Sequence, residues 1–135
     1  MSRMRLLACA LLFTLFVAQG ADSDLAGTFT GAWKSNGESG GGAYTITLKP
    51  AAGGAWSADV SFNVAGEDIK AAVKTVKVTG AKLDLAYDFE TQGAALKGTA
   101  TGEINGAVIA GTYQSLIAEG GMVIDEGTWT ATRAK

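Results

Sequence analysis

The chain has no histidine, a single cysteine (Cys9) and a single proline (Pro50) among its 135 residues. Without imidazole, neither a Ser-His-Asp triad nor a Cys-His pair can be assembled. Histidine-held haem and the usual zinc sites go with it. Cys9 falls in a segment expected to be removed, so the remaining chain carries no thiol, no disulfide and no thiolate ligand. The domain must therefore be held by its core alone, which a chain of about 115 residues can supply. Basic residues are also few: 11 Lys and Arg stand against 13 Asp and Glu, and they form no cluster. Nucleic acid is not an expected partner, because neutralising phosphates needs grouped Lys and Arg. The only long apolar run, Leu6 to Ala18, is short of the roughly 20 residues that span a bilayer.

That run belongs to an N-terminal export signal. Arg3 and Arg5 give it a positive start, and Ala18-Gln19-Gly20 closes it with small residues where a signal peptidase reads. The expectation is a signal peptide over 1–20, cleavage before Ala21, and a secreted or periplasmic domain over 21–135. Leu6-Leu7-Ala8-Cys9 looks like a lipidation site, but too little apolar chain precedes it to engage the export machinery. Loss of Arg3 and Arg5 leaves 9 basic against 13 acidic residues, a net charge of −4.

What is abundant is glycine, 19 residues, which disfavours helix and permits tight turns. Apolar and polar residues alternate with period two, the pattern of half-buried strands. Trp56, Ala58, Val60, Phe62 and Val64 share one face, as do Tyr44, Ile46 and Leu48, and Leu83, Leu85, Tyr87 and Phe89. Turns at Gly66-Glu67, Gly80-Ala81, Gly93-Ala94 and Asn105-Gly106 join the segments, the last with both residues at positive φ. These turns set Val64 against Ile69, Val76 against Leu85, Phe89 against Gly98 and Ala100 against Gly111. They also set Asp59 opposite Lys74, Lys77 opposite Asp84 and Glu90 opposite Lys97, with one like-charge conflict, Asp84 opposite Glu103. A phase slip between Val73 and Val76 predicts a β-bulge at Lys74-Thr75. The expected fold is all-β: an antiparallel meander of eight strands, 26–34, 43–50, 55–64, 68–79, 82–91, 95–104, 107–115 and 126–134. Closure into an up-and-down barrel removes its edges; a curled open sheet is the alternative.

A glycine-any-aromatic triplet recurs six times, at Gly27-Thr28-Phe29, Gly31-Ala32-Trp33, Gly42-Ala43-Tyr44, Gly54-Ala55-Trp56, Gly111-Thr112-Tyr113 and Gly127-Thr128-Trp129. In a strand its first and third residues face the same way, so the ring can lie across the glycine. The stretch Gly27 to Trp33 resembles the opening strand of lipocalins and avidin-like proteins, small exported calycin-type barrels. That resemblance implies an arginine near the chain end lying over a first-strand ring, here Arg133 over Phe29 or Trp33. It also places Ser35, Asn36 and Ser39 where avidin-like proteins carry polar ligand contacts, although the later biotin contacts have no match and biotin is not expected.

Eight-stranded barrels either fill with side chains or hold one small ligand. Gly98, Ala100, Gly102 and Gly111 face inward, with Tyr87, Phe89 and Tyr113 opposite, so both outcomes stay open. The residues expected to face a ligand are Trp33, Tyr87, Phe89, Ala100, Tyr113 and Trp129. No catalytic, metal or cofactor set is expected; Glu119, Asp125 and Glu126 read as a solvated acidic loop rather than a calcium site. The segment 116–124 reads as a lid, a partner-binding hairpin or a longer hairpin. Three functions remain: an exported non-enzymatic barrel binding a small apolar or amphipathic ligand, a structural or protein-interaction module with a filled barrel, and a small outer-membrane barrel with its apolar face on lipid. The first two keep the domain out of the membrane.

Overall fold

A computed structural model describes residues 25–134, and the expected signal peptide lies outside them. Eight strands follow one another: β1 (Gly27–Ser35), β2 (Gly41–Pro50), β3 (Trp56–Val64), β4 (Glu67–Thr79), β5 (Lys82–Thr91), β6 (Ala94–Asn105), β7 (Val108–Ile117) and β8 (Val123–Arg133). Each pairs antiparallel with the next, and β1 pairs with β8 from Phe29↔Arg133 to Ser35↔Gly127, closing the barrel. The up-and-down barrel expected from the alternation is the fold, and closure leaves no open edge.

The faces are those that parity sets. Phe29, Ile46, Leu48, Val60, Leu83 and Ile109 are fully buried inside, whereas Lys and Thr side chains between them face outward. The inverted arrangement, with the apolar set outside and a paired polar lumen, is not the one the chain adopts. The bulge is present as well: pairing shifts between Val73 and Thr75, leaving Lys74 unpaired.

Three of the four hairpin registers differ from expectation by two residues. Only Gly80-Ala81 forms the turn as read, with Val78↔Leu83, Lys77↔Asp84 and Val76↔Leu85. The β3–β4 turn is Ala65-Gly66, with φ of 51° and 85°, so Phe62 pairs with Ile69 rather than Ala71. The β5–β6 turn is Gln92-Gly93, with φ of 53° and 79°, so Tyr87 and not Phe89 lies opposite Gly98. The β6–β7 turn is Gly106-Ala107 rather than Asn105-Gly106, with only Gly106 at positive φ, so Ala100 pairs with Tyr113 and Gly102 with Gly111. A two-residue slip moves no side chain to the other face, so alternation could not distinguish these registers. Charge matching could not either. Asp59 meets Lys49 at 3.0 Å instead of Lys74, Lys74 meets Asp88 at 3.7 Å, and Lys97 faces Asp88 rather than Glu90. The like-charge conflict disappears, since Asp84 pairs with Thr101 and Glu103 with Lys82.

Five of the six triplets lie in strands with their rings buried; Gly54 instead sits in a short 3₁₀ turn, and Trp56 is only half-buried. A side chain at Gly31 or Gly111 would collide with the carbonyl oxygen of Thr130 or Thr101 on the neighbouring strand. These glycines permit the close strand approach of a small barrel. At the end where the chain enters, the Arg133 guanidinium lies 4.8 Å from the Phe29 ring centroid and donates to the Ala26 carbonyl at 2.8 Å. Phe29, not Trp33, is thus the ring that carries the arginine, and this end is sealed.

Candidate functional site

The interior is not uniform. Toward the sealed end it is filled, because the Trp129 ring lies over Gly102, and its indole N–H donates to the carbonyls of Thr101 (3.1 Å) and Thr112 (3.2 Å). Toward the end that carries the 36–40, 65–66, 92–93 and 118–122 connections, a cavity of about 210 Å³ opens. Its walls are aromatic. Tyr44 and Phe62 stack nearly parallel, 6.1 Å apart; Phe62 and Phe89 meet edge to face at 5.0 Å; Trp33 and Tyr113 do the same at 5.9 Å. Tyr87, Val64, Leu96 and Ile124 complete the apolar lining, with Ser39, Thr91, Gln92 and Ser115 nearer the rim.

One carboxylate shares this space. Asp125 Oδ1 accepts from the Ser35 hydroxyl at 2.5 Å, and Oδ2 accepts from the Tyr113 hydroxyl at 2.8 Å. The network links β1, β7 and β8 across the barrel seam. Asp125 faces inward because it continues the inner set Ala131, Trp129, Gly127 of β8; a second bulge, between Ser115 and Leu116 on the pairing with β8, leaves Ile124 extra. Of the acidic loop expected at 119–126, Asp125 therefore turns in while Glu126 points to solvent. Among the described residues no three metal-ligating side chains converge.

The cavity tyrosines hold their protons firmly. Burial raises Tyr44 well above the ordinary phenol range and pushes Tyr87 up to about 12. Tyr113 is raised by burial first and then by its bond to the Asp125 carboxylate, which a second negative charge would repel. The Tyr44 hydroxyl is buried without any hydrogen-bond partner; Tyr87 is near enough to affect its titration but outside bonding geometry. The arrangement is one of rings, neutral phenols and a single carboxylate, a set suited to holding a molecule.

Of the expected ligand-facing residues, Trp33, Tyr87, Phe89 and Tyr113 are brought together around the cavity, while Ala100 and Trp129 lie in the packed half. Gly98 and Gly102 do not open space: a side chain at Gly98 would strike the Tyr87 ring, and one at Gly102 would meet Ile109 and Trp129. Sequence reasoning missed Tyr44, Phe62, Leu96 and Asp125 as lining. Asp125 was findable, since period-two alternation traced back from Trp129 puts it on the inner face. The 116–124 segment is a longer hairpin, with Ile117 N–H bonding the Met122 carbonyl at 2.8 Å. Its tip leaves Met122, Val123 and Ile124 exposed beside the cavity mouth. No protein-family profile, curated protein or solved structure matches this chain.

Proposed function

We propose that the chain is an exported, non-enzymatic barrel of calycin type that takes one small amphipathic ligand in its cavity. The observation that carries this reading is an aromatic-walled cavity of about 210 Å³, open at one end of an otherwise filled barrel. Its size sets the ligand's size. An apolar cavity of roughly 150 Å³ accommodates benzene, and drug-sized ligands need roughly 300 Å³ or more. One ring with a short polar tail fits between these limits. The rim hydroxyls of Ser39, Thr91 and Ser115 supply the polar part of the match.

Native mass spectrometry of the protein as it accumulates in its own host tests this reading, with a retained ligand visible as added mass. N-terminal sequencing of the same sample is expected to begin at Ala21 or within a few residues; an intact Met1 would overturn the export reading. A second reading rests on the exposed Met122-Val123-Ile124 tip, 64 %, 42 % and 50 % accessible, which suits a protein-interaction module. No retained mass and no displaceable apolar probe would shift the function to that surface.

A further inference from the structure

The cavity has a sign. Among the described residues that line it, Asp125 is the only carboxylate, and none is a lysine or an arginine. Two of the carboxylate's lone-pair sites are occupied by Ser35 and Tyr113. A carboxylate offers about four such sites, so it retains capacity for a donor arriving from the cavity. Both protein donors are neutral hydroxyls, which hold the carboxylate in place without cancelling its charge. The same cavity is lined by six aromatic rings, those of Trp33, Tyr44, Phe62, Tyr87, Phe89 and Tyr113. The negative faces of such rings attract a cation, most strongly where water is excluded. An anionic ligand would meet only a like charge, with no basic partner to receive it.

We infer that the ligand is a small organic cation, an ammonium group carried on an aromatic ring, with the ammonium at Asp125 and the ring among Phe62, Tyr87 and Phe89. The inference rests on the cavity being a binding site, as proposed above, and adds the charge class of the occupant. Tyr113 is a positioning residue in this scheme: its hydroxyl orients the carboxylate, and its ring packs edge-on against Trp33.

Three probes of one shape separate the possibilities: 2-phenylethylammonium, the neutral 2-phenylethanol and the anionic 3-phenylpropionate. Each is titrated by calorimetry, at neutral pH and low salt, into the protein as it accumulates in its host after any retained ligand is exchanged out. The ammonium probe is expected to bind at least about tenfold tighter than the alcohol and to weaken with added salt, with phenylpropionate weakest. In Asp125→Asn the ammonium preference should vanish while affinity for the alcohol is kept, which also reports that the cavity is intact. Should that variant fail to fold, the order of the three probes on the unaltered protein decides. Equal or tighter binding of the alcohol would overturn the charge assignment and leave the binding-barrel reading standing. Binding of none of the three would overturn both.

Discussion

Ala100 is 2 % accessible and lies between its cross-strand neighbours Leu85 and Tyr113. A leucine there must displace packed side chains, so Ala100→Leu should lower stability by about 1–3 kcal/mol, read from the urea midpoint. A stable variant would mean that the lower half of the barrel has free volume. Gly111→Ala should cost more than Gly98→Ala, because the obstacle is the Thr101 carbonyl in the first case and a Tyr87 ring, able to turn, in the second. The two buried hydroxyls should behave oppositely. Tyr44→Phe removes an unpartnered polar group and should raise stability by about 1 kcal/mol, whereas Tyr113→Phe strips a donor from a carboxylate and should lower it by about 1.5–3 kcal/mol. Equal effects of the two substitutions in a denaturation series would contradict the hydrogen-bond assignment. Four of the six residues expected to face a ligand line the cavity, because inward parity and ring size are properties of the strand itself. Ala100 and Trp129 share that parity, and only their height in the barrel puts them in the filled half.

The hairpins carry strain where they turn. Ala65 holds φ at 51° as the first residue of its turn, a left-handed conformation that disfavours a Cβ-bearing residue unless its side chain is Asn or Asp. Ala65→Asn should therefore stabilise the barrel by about 0.5–1 kcal/mol, measurable as a rise in Tm; a fall would show that Ala65 contributes through packing instead. Two of the three slipped registers turn on where the glycine sits. A Gly-first turn is chemically sound at Gly66, Gly93 and Gly80 alike, yet only Gly80 adopts it, and the other two glycines take the second position. Each choice buries the same side chains, so local patterning is indifferent. The choice falls to cross-strand packing, such as the Tyr87 ring lying over Gly98, its partner in the observed register. The exposed ion pairs follow the register rather than set it, since Lys49–Asp59 and Lys74–Asp88 are solvated and contribute little.

All three tyrosines of the chain have raised pKa values in the barrel, burial being the first cause for each. In the unfolded chain each would ionise near its ordinary value of about 10. Above that pH the unfolded chain gives up protons that the folded barrel keeps, so stability must fall as pH rises. Below about pH 10 these groups add no slope. The urea midpoint should thus be insensitive to the tyrosines up to about pH 10 and then drop steeply toward pH 12, with phenolate absorbance appearing only as the barrel unfolds. Phenolate absorbance in the folded barrel near pH 10 would show the cavity to be wet. Alternation along the chain was enough for the class, the eight strands, which side chains share a face and the Lys74 bulge, because a period of two and its single slip are read along one strand at a time. Tertiary structure alone decided three of the registers, the β1–β8 seam and the division of the interior into a packed half and a cavity. Those depend on where the rings of eight strands meet at one height, and no single strand contains that information. Asp125 belongs to both accounts: its own strand turns it inward, but only closure of β8 against β1 brings Ser35 and Tyr113 to its two oxygens.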